Sequence, residues 1–199
     1  MAIVFDAASK YGGDVTTSPC AWNHTVAVQD NRVLVVAVLC ENPSGSDDYV
    51  ITGVTYNSVS MLQIGSTLVY QNNTKEDYIG LFYLLAPDTG IHGISVSFTG
   101  TGNCYTSGMA LSYYGVAQQG PEANSSASGV STTAATNITT ITDHAFIVDF
   151  VAIDSNTSAC DPDDGQTTRQ TDGSSQQTAE MGELDKTPAG LISISYTVT

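Results

Sequence analysis

The feature that most constrains the fold is alternation, because apolar and polar side chains follow one another with a period of two along most of the chain. Turn-forming residues interrupt the pattern at intervals of roughly ten residues, which is typical of strands joined by turns. In residues 94–99, apolar side chains alternate with hydroxyl side chains. Such a strand packs one face on a core and turns the other face to water.

Ten segments fit this pattern, and almost none of the chain has a helical period. The predicted strands are residues 2–8, 22–28, 33–40, 49–56, 60–69, 79–85, 93–99, 107–114, 145–153 and 191–198. Segments 33–40 and 145–153 are nearly continuous apolar runs, which predicts central strands covered on both faces. Turn residues at 30–31 and 87–90 favour antiparallel strands connected by hairpins. The pattern predicts an all-β fold, an antiparallel β-sandwich of jelly-roll or Greek-key type, with a closed barrel as the alternative.

Chain length supports one domain over residues 1–199, because β-sandwiches of about 200 residues often remain undivided. No repeat or linker divides the sequence. Two stretches, residues 118–142 and 155–175, consist mainly of small polar residues and are predicted to be loop-rich. The first is either a long exposed loop or an outlying flat strand pair. Loops of this length are uncommon in compact domains and are often functional.

The charge balance limits the classes of partner. Twenty Asp and Glu residues face only five Lys and Arg, which gives a formal net charge of −15. Nucleic acid and anionic membranes are therefore not expected as partners, because phosphate binding needs clustered cations. No apolar stretch approaches the roughly 18 residues of a membrane span. The first residues lack the features of an export signal, so we expect either a protein that is made soluble inside a cell or a sequence that has lost its leader.

The candidate acids and bases form no catalytic motif. The three histidines, His24, His92 and His144, lie outside any recognisable motif, and no G-x-S-x-G segment occurs. We expect structural roles for them, with a metal-binding His pair as the alternative. Asp149 interrupts the apolar run 145–153, so it points to the outer face of the sheet, forms a satisfied buried pair, or marks a site. An enzyme is not expected, and neither is a cofactor.

Two kinds of binding residue remain as candidates. Asp161, Asp163 and Asp164 supply carboxylate oxygens of the kind that calcium prefers, although the closing Glu of such a loop is absent, and a solvated turn is the alternative. Aromatic rings often form sugar-binding surfaces, and the candidates for exposed platforms are Tyr56, Tyr105 and Tyr113. One member of the adjacent pair Tyr113 and Tyr114 should face the core, because neighbours in a strand point to opposite faces. Trp22 is expected in the core.

The four cysteines are too widely spaced for a CxxC metal or redox motif. Cys40 ends an apolar run and is predicted to be a buried free thiol. Cys20, Cys104 and Cys160 lie in turn-like contexts and are the candidates for one disulfide, if the protein matures outside a reducing cytosol. Sequence alone does not pair them.

Part of the chain resembles a known module. The matching stretches are residues 5–9 (FDAAS), 51–57 (ITGVTYN), 79–92 (IGLFYLLAPDTGIH), 96–100 (VSFTG) and 110–116 (ALSYYGV). Together they are similar to a jelly-roll-like β-sandwich module that recurs in bacteriophage structural proteins and in some bacterial surface proteins. The resemblance covers roughly residues 1–115, and its motifs are turns and core positions. It implies a multicopy virion component and carries no catalytic residues.

We therefore expect a virion surface protein, assembled in a host cytoplasm. The leading hypothesis is a capsid decoration or cement protein that stabilises the phage head as a homotrimer bound to the major capsid protein or other virion proteins. One alternative is a carbohydrate-binding or adhesive module of a tail fibre or cell surface. Another is an extracellular filament subunit in which a terminal strand completes a neighbouring sheet. An enzyme would need a cleft that gathers His and Asp.

Overall fold

A computed structural model describes residues 2–11, 15–16, 18–42, 50–71, 76–99, 104–155, 159–173 and 177–199, and all regular structure within these ranges is β. The all-β expectation is confirmed. No helix among these residues is long and apolar enough to cross a membrane. The strands are β1 (Val4–Lys10), β2 (Val15–Thr16), β3 (Cys20–Val26), β4 (Val33–Asn42), β5 (Ile51–Tyr56), β6 (Val59–Ser60), β7 (Leu62–Gln71), β8 (Glu76–Leu85), β9 (Gly90–Phe98), β10 (Cys104–Tyr114), β11 (Thr133–Thr139), β12 (Ala145–Ile153), β13 (Cys160–Pro162), β14 (Thr167–Gly173), β15 (Thr178–Lys186) and β16 (Leu191–Val198).

The chain divides into two compact units, which we call unit 1 (Met1–Gln119) and unit 2 (Gly120–Thr199). Each unit contains two antiparallel sheets with a hydrophobic core between them. The predicted β-sandwich is therefore present in each unit. The expectation of one domain over residues 1–199 stays a prediction.

Unit 1 has the strand order of a jelly roll. Sheet A has the order β1-β10-β4-β8-β7, with β2 also paired to β10, and sheet B has the order β3-β9-β5-β6. Eight strands form nested antiparallel pairs, in which β1 pairs with β10, β3 with β9, β4 with β8 and β5 with β6. This nesting of early strands with late strands is how a jelly roll arranges its two Greek keys. Hairpins are fewer than the sequence predicts, because most connections in unit 1 cross from one sheet to the other.

The apolar run 33–40 forms most of β4 and contributes alternate side chains to the core of unit 1. Its residues alternate between the two faces of β4, which lies in the middle of sheet A with β10 on one side and β8 on the other. Leu34, Val36 and Val38 enter the core, where they meet Val54 and Ile94 from sheet B. Every residue from Val33 to Glu41 is buried, so the prediction of a central strand is confirmed for this segment.

Trp22 packs against this core over a glycine of the opposite sheet. A Cβ placed on Gly108 would lie 2.7 Å from the Trp22 indole ring, so the indole occupies the space that a larger side chain would need. The Tyr11 ring lies against it, with centroids 6.3 Å apart. The predicted core position of Trp22 is confirmed, although its side chain is only partly buried. The predicted turns at 30–31 and 87–90 do connect strands, but neither forms the expected hairpin, because β3 and β4, like β8 and β9, lie in different sheets.

Unit 2 is a smaller sandwich of two three-stranded sheets. Sheet C has the order β11-β16-β13, and sheet D has the order β12-β15-β14. Its core contains Ile147 and Val151 from sheet D, and Cys160, Ile194 and Tyr196 from sheet C. Because side chains alternate along each strand, the hydroxyl row of β16 at 193, 195 and 197 faces away from this core.

One prediction for this half of the chain is wrong. The apolar run 145–153 forms β12, which lies at an edge of sheet D rather than in its middle, since it pairs with β15 alone among the described strands. The polar stretches contain both loop and strand: β11 lies in 118–142, for which the sequence allows a loop or an outlying strand pair, and β13 and β14 lie in 155–175. Residues 156–158 and 174–176 of these regions lie outside the described residues.

Candidate functional site

One polar cluster in unit 1 surrounds His24. The Ser9 Oγ atom lies 2.8 Å from Nδ1 of His24 and accepts a hydrogen bond from Trp22 Nε1 at 3.1 Å. His24 is fully buried, and burial lowers its pKa to about 4, although the nearby Asp6 carboxylate acts in the opposite direction. The imidazole is therefore neutral at neutral pH, and it joins β3 to β1.

Asp6 connects β1 to neighbouring parts of the same cluster through two hydrogen bonds. Its Oδ2 atom accepts hydrogen bonds from the backbone N–H of Ala27 at 3.0 Å and from the Ser112 hydroxyl at 2.8 Å. A hydrolytic triad needs the carboxylate on one imidazole nitrogen and the serine on the other. Here Ser9 contacts Nδ1 of His24, and the hydrogen bonds of Asp6 go to Ala27 and Ser112. The arrangement holds three strands together and lacks the geometry of a triad.

Tyr56 and His92 hold the connection between β8 and β9. The Tyr56 hydroxyl lies 3.1 Å from the carbonyl oxygen of Asp88 and 3.3 Å from that of Gly90, and it can donate to either. The His92 ring packs edge-on against Tyr56, with centroids 5.6 Å apart, and its Nε2 atom lies 3.0 Å from the carbonyl oxygen of Thr89. Burial, with help from the Asp88 carboxylate, raises the pKa of Tyr56 to about 12. Both side chains therefore stabilise this turn.

The predicted tyrosine platform does not assemble. Tyr56 is fully buried and Tyr113 is 2% exposed, so both predictions of an exposed ring are wrong. Tyr113 packs edge-on against Phe5, with centroids 5.9 Å apart. Tyr56 belongs to the core between the two sheets, whereas Tyr113 lies on the other face of β10, opposite Val33 in the register with β4. Tyr105 is half-buried.

In unit 2, Asp149 points into the core instead of to the outer face. Its Oδ1 atom accepts hydrogen bonds from the Tyr196 hydroxyl at 2.7 Å and from the backbone N–H of Gly182 at 3.0 Å. A Cβ on Gly182 would lie 2.8 Å from this oxygen and 3.1 Å from the Tyr196 hydroxyl oxygen. The missing side chain of Gly182 therefore makes room for the carboxylate, and the network joins β12 and β15 of sheet D to β16 of sheet C.

A second carboxyl group, that of Glu180, lies near Asp149. Burial raises the pKa of Asp149, while hydrogen bonds from Tyr196, Gly182 and Gln166 oppose the shift. Burial also raises the pKa of Glu180, which accepts a hydrogen bond from the Thr168 hydroxyl at 2.5 Å. Two carboxyl groups thus lie near each other, and the Asp149 carboxylate adds to the rise in the pKa of Glu180.

The acidic triplet of the predicted calcium loop lies beside β16. Each carboxylate accepts a hydrogen bond from a hydroxyl group of that strand or of the residue that follows it. The pairs are Asp161 with Thr199 at 3.1 Å, Asp163 with Thr197 at 3.0 Å, and Asp164 with Ser195 at 2.5 Å. The three carboxylates are therefore spread along the strand rather than gathered around one point.

No group of three or more His, Cys, Asp or Glu side chains in the described parts of the chain is placed to hold a metal ion. The calcium hypothesis for Asp161, Asp163 and Asp164 gains no support. His144 is exposed in a turn, with Nδ1 3.6 Å from Oδ1 of Asp185.

The cysteines pair differently from the prediction. Cys40 and Cys104 form a disulfide between neighbouring strands β4 and β10, so the prediction of a free thiol at Cys40 is wrong. Cys20 and Cys160 are free and buried. Burial raises the pKa of the Cys20 thiol to about 12 and that of Cys160 to about 11. Neither thiol is a nucleophile in this state, because the thiolate is the reactive form.

Sequence reasoning missed Asp6, Ser9 and Glu180. Asp6 could have been found from the sequence, because it is a charged residue within a segment of apolar and small residues. Asp149 is singled out on the same ground. No feature of the sequence points to Glu180, because residues 178–186 carry acidic side chains on both faces and do not alternate.

Comparison with protein-family models, with curated proteins and with solved structures finds no match to this chain.

Proposed function

We propose that this chain is a structural protein of a bacteriophage virion surface, with a capsid decoration protein that stabilises the head as the specific role. Its partners are the major capsid protein and further copies of itself, and it works without a cofactor. The homotrimer expected from the sequence belongs to the same proposal.

The strand order of unit 1 is the observation that carries this proposal. Two sheets ordered β1-β10-β4-β8 and β3-β9-β5-β6 form a jelly roll, an architecture that viral capsid domains and lectin domains use. The stretch that resembles phage structural modules, roughly residues 1–115, coincides with unit 1. The shared fold supports this role by analogy and does not identify a binding site.

The ionisable groups of the two interiors support a role without chemistry. His24 and Asp6 join strands in unit 1, and Asp149 joins the two sheets of unit 2. These side chains stabilise the fold. On the outside of unit 2, the outer face of sheet C is rich in hydroxyl groups. The net charge of −15 gives neighbouring virions mutual repulsion.

Binding to phage heads tests the proposal. The purified chain is mixed with undecorated heads, the heads are sedimented, and the bound mass is compared with that on heads already saturated with the protein. We expect saturable binding with fixed stoichiometry and heads that withstand higher temperature. An oligomeric mass in solution is expected as well. A monomer that leaves undecorated heads unbound overturns the proposal.

The outer face of sheet C favours a second candidate, a carbohydrate-binding module. Thr133, Asn137, Thr139 and Ser193 are exposed there, and Asn137 lies directly opposite Ser193 in the β11–β16 register. Hydroxyl and amide groups on a flat face can exchange hydrogen bonds with sugar hydroxyls, although this face lacks the aromatic platform expected from the sequence.

A glycan array separates this candidate from the first. Binding that is lost in Asn137→Ala and retained in Asn124→Ala, a change at an exposed position outside the sheet, supports a glycan-binding face. An array without any bound glycan removes this candidate and leaves the head-binding experiment to decide the first.

A further inference from the structure

The edge of sheet D formed by β12 is long and apolar. β12 runs over nine residues, Ala145–Ile153, and Asp149 is its one charged residue. In the described part of unit 2, β12 pairs with β15 in a regular register from Ala145 opposite Lys186 to Ile153 opposite Thr178, without a bulge. The opposite side of such a strand offers backbone N–H and C=O groups to another strand.

The other edge strands of unit 2 carry features that discourage pairing. β13 is three residues long and contains Asp161 and Pro162, and proline removes a backbone donor. β14 has a register irregularity between Thr168 and Gln170, with the charged Arg169 between them. Bulges and charges at an edge disfavour the addition of a further strand.

The edge of β11 has a polar segment fastened beside it. The Glu122 carboxylate accepts hydrogen bonds from the N–H groups of Ile141 and Thr142, and the Ser125 hydroxyl lies 2.6 Å from that of Thr136. The chain that precedes β11 therefore runs beside this strand. Among the described edges of unit 2, β12 has neither a bulge, a proline nor a surface charge.

The sequence of β12 is complementary to itself. When two copies run antiparallel with Asp149 at the centre, Ile147 lies opposite Val151 of the second copy on the core-facing side, and Val148 lies opposite Phe150 of the second copy on the other side. The Asp149 carboxylate leans over β15, where Gly182 donates to it, so it is drawn away from the seam. A two-fold contact needs a surface that fits a second copy of itself, and this strand meets that condition.

We propose that β12 pairs edge to edge with β12 of a second copy of this chain. The pairing joins two copies of sheet D into one six-stranded antiparallel sheet across a two-fold axis. Backbone hydrogen bonds supply the register, and apolar side chains close the seam on both faces. The inference goes beyond the proposed function and does not depend on it, since the contact is compatible with either candidate role. Combined with a three-fold contact, it gives a hexamer, whose mass is also a multiple of that of the dimer.

Charge gives the association a particular salt dependence. Each copy has a formal net charge of −15, so two copies repel one another as whole molecules. The seam itself is uncharged apart from the inward-facing Asp149. Because dissolved salt screens the repulsion and leaves the apolar contact intact, we expect association to strengthen with ionic strength.

Hydrogen exchange on the full chain tests the seam directly. Exchange in residues 145–153 is followed by mass spectrometry from about 1 µM to about 100 µM protein, a range that spans the dissociation constants of weak to moderate contacts. The molecular mass is measured by light scattering over the same range. We expect the mass to rise to that of a dimer or a multiple of it, while exchange in residues 145–153 slows in parallel.

A pair of variants separates this edge from others. Val148→Lys places a charge beside the seam, and Thr167→Lys places one on the exposed edge strand β14. We expect Val148→Lys to weaken association at least tenfold and Thr167→Lys to leave it unchanged. If Val148→Lys fails to fold, the concentration series on the unaltered chain decides by itself. A monomeric mass throughout the series overturns the proposal, and so does association without slower exchange in residues 145–153.

Discussion

The Tyr196 hydroxyl donates a hydrogen bond to Asp149 Oδ1 at 2.7 Å across the interior of unit 2. Tyr196 lies on β16 of sheet C and Asp149 on β12 of sheet D, so this bond joins the two sheets through their core. Gly182 N–H donates to the same oxygen, and the space above Gly182 is where the carboxylate lies. Buried polar networks of this kind fix one arrangement of two sheets when their members are paired.

Tyr196→Phe should destabilise unit 2 at neutral pH. The variant keeps the ring and removes the hydroxyl, so Asp149 loses one of its donors, and a buried acceptor that loses a partner costs about 1–3 kcal/mol. The free energy of unfolding is measured by denaturant titration, with exchange in unit 2 peptides as the local readout. Tyr114→Phe at the half-buried end of β10 is the control. Equal stabilities for the two variants contradict the role of this hydroxyl.

Gly182→Ala should destabilise unit 2 by roughly 1–3 kcal/mol, the usual cost of overpacking. The added methyl group would meet Asp149 Oδ1 at 2.8 Å and the Tyr196 hydroxyl oxygen at 3.1 Å, so the network must shift. Gly173→Ala is the matched control, because its Cβ would have no atom within 4 Å. Denaturation midpoints of the two variants are compared, and the idea fails if Gly173→Ala is the more damaging change.

Unit 2 should lose stability as the pH rises through the acidic range toward neutrality. Burial raises the pKa of Asp149 above its unfolded value, so the folded state binds the proton more tightly. The stability gained in this way is complete below the unfolded pKa and is lost as the pH rises through the folded pKa. Asp149→Asn cannot ionise and should flatten the dependence of unit 2 stability on pH. Parallel pH profiles for the variant and the unaltered chain contradict this assignment.

Unit 1 should respond to acid in the opposite direction because of His24. Burial lowers the pKa of His24 to about 4, so the unfolded chain takes up the proton first as the pH falls below about 6.5. Stability is then lost progressively down to the folded pKa. The fluorescence of Trp22, the single tryptophan, follows unfolding of unit 1. His24→Gln should reduce this acid sensitivity, and an unchanged profile shows that other groups cause it.

The cysteines should behave as one bridge and two protected thiols. Peptide mapping without reduction should find Cys40 linked to Cys104, and reduction should lower stability by about 4 kcal/mol for a loop of this length. Cys20 and Cys160 should resist alkylation until the protein unfolds, because both are buried with raised pKa values. Four thiols that react in the native state, or a different linked pair, contradict the assignment.

Alternation locates strands well where one face is buried and the other is wet. The bounds of β12 and β16 agree with the pattern, and the turn residues at 87–90 separate β8 from β9. β15 was missed because acidic side chains such as Glu180 and Glu183 lie among its buried residues. For β11 the pattern allows either a loop or a strand, since its Thr, Ala and Asn side chains are too small to mark a core face.

Position within a sheet, and contacts between distant residues, depend on register that one sequence does not reveal. An apolar run predicts burial on both faces, which holds for β4 but not for β12 at the edge of sheet D. The contact of Asp149 with Tyr196 joins residues 47 positions apart, and the Cys40–Cys104 bridge spans 64. Both follow from strand order, as does the burial of Tyr56.

The hydrogen bonds of Glu122 join the two ends of the segment that runs from Glu122 through β11 to Ile141. The Glu122 carboxylate accepts two backbone N–H groups and the Thr142 hydroxyl, so the ends of this excursion are held together independently of what lies between them. Lengthening a loop whose ends are already joined costs little entropy. The exposed stretch 126–130 is therefore a place where a foreign peptide can be displayed while both sandwiches stay intact.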